Sequence, residues 1–140
     1  MRALDERLDD AFRRGQAVRF QSSLLRESGE LKLERIVERV LQHVGQAEAI
    51  GPAYAAVREL VQNASKANLK RVYFAELGID PDDRARYHEG MQVFRRRLVS
   101  SPVSEHHRLA REHGLTFSVV FRYSHDALQV QVCNPGALYA

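Results

Sequence analysis

The chain has 140 residues, 44% hydrophobic and 28% charged, a size and composition for one domain with a buried core. No run approaches the eighteen or so apolar residues of a membrane span, and the opening MRALDERLDDAFRR lacks the apolar centre of a secretory signal, which argues against a membrane. The formal charge of +3 is spread over alternating acids and bases rather than gathered on one face, which argues against nucleic acid.

The single Cys133 leaves no internal disulfide and no cysteine-based zinc site, so the expected compartment is a reducing cytoplasm. Leu4, Leu8, Ala11 and Phe12 predict an amphipathic helix over 3–14, ended by Gly15. Alternation through AVRFQSSLL predicts a strand. Ser28 and Gly29 then precede a helix with Leu33, Ile36, Val37, Val40, Leu41 and Val44 on one face. Pro52 suits the first turn of a long helix over 52–77 that Gly78 stops. Asp80, Pro81, Asp82 and Asp83 form a start signal, with a cap, a proline at the first helical position and acids at the positive end, for a helix running to Leu98. Another short helix follows Ser101 and Pro102. LTFSVVFRY and LQVQV, joined by Ser124, His125 and Asp126, predict a hairpin with one apolar face. The order implies an α+β layered domain, with helices on one face of a mixed or antiparallel sheet.

The long helix carries an unusual stripe. At about 100° per residue, and with Glu59 at zero, Asn63 lies near about 40°, Lys66 near about −20° and Lys70 near about 20°. Val57, Leu60, Val61, Ala64 and Val72 are assigned to the opposite arc, packed on the sheet. Asn68 falls in the middle of that apolar arc and is expected to hydrogen-bond a neighbouring backbone. Taken alone, the stripe also fits the solvated side of an ordinary helix.

ELVQNASKA at 59–67 resembles the N box, E-L-x-x-N-A-x-K-A, of the histidine-kinase-like ATPases (the GHKL or Bergerat fold of sensor kinases and type II topoisomerase ATPase domains). VCNPGAL at 132–138, at the end of the hairpin, stands where that family has its G1 box, D-x-G-x-G. The resemblance covers roughly 17–77 and 115–138, with 78–113 as a helical insertion, in a single domain over 1–140. It implies a two-layer Bergerat sandwich whose C-terminal part is missing, since the family's lid, second glycine box and remaining strands have no counterpart here. It implies ATP and Mg²⁺ as ligands, with Asn63 on the metal, Glu59 as the acid that orients water, Lys66 on phosphate, and Asn134 and Gly136 at the nucleotide. Asn134 replaces the family's adenine-reading aspartate, but its amide oxygen still accepts from an amino group. Two readings follow: an ATP-binding part of a bacterial signalling protein, truncated or divergent, and a non-catalytic protein-interaction module on the same scaffold. A homodimer or a signalling protein is the expected partner in either.

Other motifs carry less. No histidine sits in the phospho-acceptor setting of sensor kinases. His106, His107 and His113 lack the i, i+4 pairing of a zinc helix and are read as a solvated helix. Ser124, His125 and Asp126 are read as a turn, and Cys133 as a small strand residue.

Overall fold

The computed structural model describes residues 1–134. Helix α1, Arg2–Arg14, buries Leu4 and Leu8 and ends at Gly15, whose left-handed backbone (φ +64°) lets its own N–H donate to the Phe12 carbonyl and the Gln16 N–H donate to the Ala11 carbonyl. Two of its acids, Asp5 and Asp9, face the next helix. Asp5 accepts from Arg35 at 2.9 Å and pairs with Arg39 at 3.1 Å, while Asp9 pairs with Arg39 as well. Hydrogen bonding to the Arg35 guanidinium holds the Asp5 carboxyl below the ordinary carboxylate range.

Strand β1, Val18–Ser22, leads into helix α2, Glu27–His43, which buries Leu33, Ile36, Val37, Val40 and Leu41. A short 3-10 turn, Ala47–Ala49, opens into α3, Ile50–Glu76. Helices α4, Arg84–Ser100, and α5, Val103–Glu112, follow, and strands β2, Phe117–Ser124, and β3, Ala127–Cys133, close the described chain as a hairpin.

The sheet is antiparallel throughout, in the order β1-β2-β3. Register places Val18 beside Phe121 and Phe121 beside Val130, and Phe20 beside Val119 and Val119 beside Val132. With a side-chain period of two, these residues share one face. They join Leu4, Leu8, Leu33, Ile36, Val37, Val57, Val61 and Ala64 in one apolar cluster, so α1, α2 and α3 cover that face. The opposite face presents exposed Arg19, Gln21, Arg122, Gln129 and Gln131. An aromatic knot ties the layers at one end: the Phe12 and His43 rings stack at 4.3 Å, and the Tyr123 hydroxyl donates to the Gln16 carbonyl at 2.7 Å. The α+β class expected from the sequence is the observed one.

A second cluster, Leu24, Leu69, Val72, Tyr73, Phe94, Leu109 and Ala110, holds α4 and α5 against the C-terminal half of α3. Gly90 makes that crossing close, since a Cβ there would sit 2.5 Å from the Phe74 ring. Three expectations change here. Helix α4 starts at Arg84 rather than Pro81: the Asp83 carboxylate accepts from Ala85 N at 3.1 Å as the cap, while Asp80 closes a separate turn onto Asp82 N at 2.9 Å. Leu60 is 48% exposed, because at about 100° around the helix it stands at the margin of the buried arc. His106 and His107 are buried, not solvated. The Tyr73 hydroxyl meets His106 Nδ1 at 2.7 Å, and Arg26 Nε donates to His107 Nδ1 at 3.2 Å.

Candidate functional site

The motif residues of α3 divide according to what covers the helix. In its first half α3 is buried on one side only, through Val57, Val61 and Ala64, so Glu59, Asn63 and Lys66 emerge together on the open face. None of the three side chains makes a hydrogen bond or ion pair with another described residue. Further along, the helix is covered on a second side: Val72, Tyr73 and Phe74, three consecutive residues, are each enclosed, while Ala75 and Glu76 stay exposed. Helices α4 and α5 do this. Lys70, the fourth member of the stripe, is half-buried, with Nζ 2.5 Å from the Tyr87 hydroxyl of α4 and 4.6 Å from the centre of its ring. The polar stripe thus ends after Lys66, and Lys70 belongs to the α3–α4 contact.

The opposite side of α3 fastens it to the loop after β1. Asn68 is fully buried, and its Nδ2 donates to the Ser23 carbonyl at 3.1 Å, the backbone contact expected of an amide in an apolar arc. The Ser65 hydroxyl accepts from Leu25 N at 2.9 Å. Ser65 was not singled out from the sequence, although a serine inside a helix with a polar partner available is the signal that could have found it. Two polar side chains one turn apart therefore hold residues 23–25 by their backbone. That pair adds to the packing of Val57, Val61 and Ala64, which turns the stripe away from the sheet.

The end of β3 meets the same helix. Asn134 Nδ2 donates to the Ala64 carbonyl at 3.1 Å, across 70 positions of sequence. A carbonyl only accepts, so the amide must present its NH₂ to the helix and keep its oxygen for something else. That oxygen, Oδ1, is buried and without a partner among the described residues. A buried acceptor left unpaired costs about 1–3 kcal/mol, which a donor placed against it would recover. Asn134 thus docks at the residue following Asn63 and offers an acceptor. Gly136 lies outside the described residues.

The donor set also bears on a metal. Among the described residues no group of three or more histidine, cysteine or acidic side chains is placed to hold an ion. An ion at Asn63 would take most of its oxygens from a ligand and from water, which is the habit of Mg²⁺ on nucleotide phosphates and not of a closed protein site. No helix among the described residues is long and apolar enough to cross a membrane.

No protein-family model matches the chain. No solved structure matches it either. It is 29% identical over 105 residues to an uncharacterized protein of Treponema pallidum (strain Nichols), in an alignment that takes in 75% of this chain and 20% of that protein. The chain therefore spans about a fifth of that relative, whose description carries no activity.

Proposed function

We propose that the chain is a nucleotide-binding domain of the histidine-kinase-like ATPase type, with ATP and Mg²⁺ as its ligands and 78–113 as an insertion in a Bergerat-type sandwich. The observation that carries this reading is the contact of Asn134 with Ala64. It joins the end of a hairpin strand to the N-box-like helix beside Asn63, and it leaves an amide oxygen free to accept from an exocyclic amino group. In this reading Asn63 supplies a carboxamide oxygen to the metal, which bridges and neutralises phosphate oxygens when bound. Lys66, one turn further along the open face, places a cation beside the phosphates. Glu59, one turn before Asn63, is the acid available to orient water. An open stripe on one helix favours binding over turnover, because phosphate sites ordinarily add a cradle of backbone N–H groups.

The Asn63 side chain is exposed and makes no hydrogen bond among the described residues, so Asn63→Ala would remove the metal ligand without touching the core. Titration calorimetry is expected to give saturable heat with Mg²⁺-ATP, lost on adding a chelator and lost in Asn63→Ala at unchanged urea midpoint. No heat at millimolar nucleotide would sink the proposal. A second reading, a non-catalytic protein-interaction module of a signalling protein on the same scaffold, is favoured by Leu60, whose 48% exposed side chain follows Glu59 at the edge of the stripe. That reading expects no nucleotide heat in any variant.

A further inference from the structure

Between α1, β1 and α2 lies a groove of about 330 Å³. Its apolar lining comes from Leu4 and Leu8 of α1, Val18 and Phe20 of β1, and Ile36 of α2, and its charged lining is Arg7, Arg19 and Lys32. No acidic side chain lines it. All three cations are exposed, and none of them makes an ion pair or hydrogen bond among the described residues. The reason lies in the neighbours. The α1 acids Asp5 and Asp9 turn the other way, onto Arg35 and Arg39. Across the sheet, Arg19 faces Val120 and then Gln131, neither of which is an anion.

A cationic rim over an apolar floor selects an anion that also carries apolar groups. The shape of the groove says which kind. Five consecutive residues line it, from Ala17 through Gln21, although side chains of a strand alternate between faces. What consecutive strand residues share is a backbone edge. β1 is the outer strand of the order β1-β2-β3, and among the described residues nothing pairs with its far side. In an antiparallel pair, alternate residues direct their N–H and C=O groups away from the partner, so β1 offers a row of unpaired backbone groups along the groove. Edge strands are usually blunted by charge, and Arg19 does that against a basic or neutral chain. Against an acidic one it attracts.

We propose that this groove receives an extended acidic segment of a partner protein, added as a fourth strand on β1, with apolar side chains toward Leu8 and Ile36 and carboxylates toward Arg7, Arg19 and Lys32. Backbone pairing supplies a sequence-tolerant share of the affinity and the three cations supply the preference for acid. The inference does not depend on nucleotide binding, since the groove shares no lining residue with the α3 stripe.

The probe is a fluorescein-labelled peptide of alternating glutamate and valine, followed by anisotropy at low salt. Binding is expected to saturate, to weaken as salt rises, and to fall about tenfold or more in the Arg7→Glu, Lys32→Glu double variant. Both residues are exposed, so the fold is retained, which circular dichroism checks. The Arg95→Glu, Arg96→Glu variant, equally altered in charge on α4, keeps the affinity. Peptide addition slows hydrogen exchange at alternate β1 amides. The proposal is overturned if a control peptide of alternating lysine and valine binds as well, if the Arg7, Lys32 variant binds unchanged, or if β1 exchange is unaffected. It is also overturned if octanoate saturates the groove while the acidic peptide does not, which would make it a small-molecule site.

Discussion

Replacing Gly90 by alanine tests how closely α4 lies on α3. A Cβ at position 90 would meet three atoms of the Phe74 ring at 2.5, 2.7 and 2.9 Å, where carbon atoms ordinarily rest about 3.5–4.0 Å apart. The ring would have to withdraw by about 1 Å. Phe74 is fully buried, and its ring packs 5.7 Å from that of Tyr87, so it has little room to do so. Overpacking of this kind costs about 1–3 kcal/mol. Against it stands the helical preference of alanine over glycine, about 0.8–1.0 kcal/mol. The sum is a net destabilisation of up to about 2 kcal/mol. Gly51, near the start of α3, supplies the control, because a Cβ there meets nothing within 4 Å. Gly51→Ala should stabilise by up to about 1 kcal/mol. Urea unfolding of the two variants reads the difference, in which the propensity largely cancels and the overpacking remains. A Gly90→Ala protein as stable as Gly51→Ala would refute the close crossing. Coupling between Gly90→Ala and Phe74→Leu in a double-mutant cycle would identify the ring as the obstacle.

Further outcomes follow from the buried polar contacts. Asn68→Ala removes the donor to the Ser23 carbonyl and is expected to cost about 1–3 kcal/mol in urea unfolding, and a loss below about 0.5 kcal/mol would show that the loop needs no such brace. His107 accepts from Arg26, and burial, then the nearby Arg26, Arg111 and His106, hold its pKa below the ordinary 6.5. The unfolded chain therefore takes up a proton near pH 6.5 that the folded chain refuses, so stability is full above that pH and declines as pH falls toward the depressed value. The urea midpoint should drop between about pH 7.5 and 5.5, and His107→Gln should flatten that slope. An identical slope in the variant would contradict the assignment.

Much of the fold is legible in the sequence because its first cluster is built from simple periodicities. Leu33, Ile36, Val37, Val40 and Leu41 recur as a helix facing one way must, and Phe117, Val119 and Phe121 alternate as a strand covered on one face must. The amide Asn68 also reads correctly, since a carboxamide in an apolar arc has few alternatives to a backbone partner. What periodicity misses is a helix with two partners. Tyr73 and Phe74 lie within about 60° of Glu59 on the helical wheel, on the two flanks of the polar stripe, and are buried because α4 and α5 cover that side. The run VYF, apolar all round, was the available sign. His106 and His107 were misread for a similar reason: neither belongs to a zinc pattern, yet Tyr73 and Arg26, far away in sequence, give each a partner. In the candidate site, the positions of Glu59, Asn63 and Lys66 follow from helix geometry alone, whereas the meeting of Asn134 with Ala64 depends on how the hairpin packs on α3 and has no local signal.

Helix α3 is the main element common to both apolar clusters, and this gives the molecule two levels of local stability. The α4–α5 layer rests on the far half of α3 through Phe74, Phe94 and Leu109, while the sheet with α1 and α2 holds the near half through Val57, Val61 and Ala64. Opening of the outer layer would expose the second cluster and leave the first intact, as separately cooperating units do. Glu59, Asn63 and Lys66 stand on the half that stays. The surface they form is therefore built to outlast a partial unfolding that would release Lys70 from Tyr87.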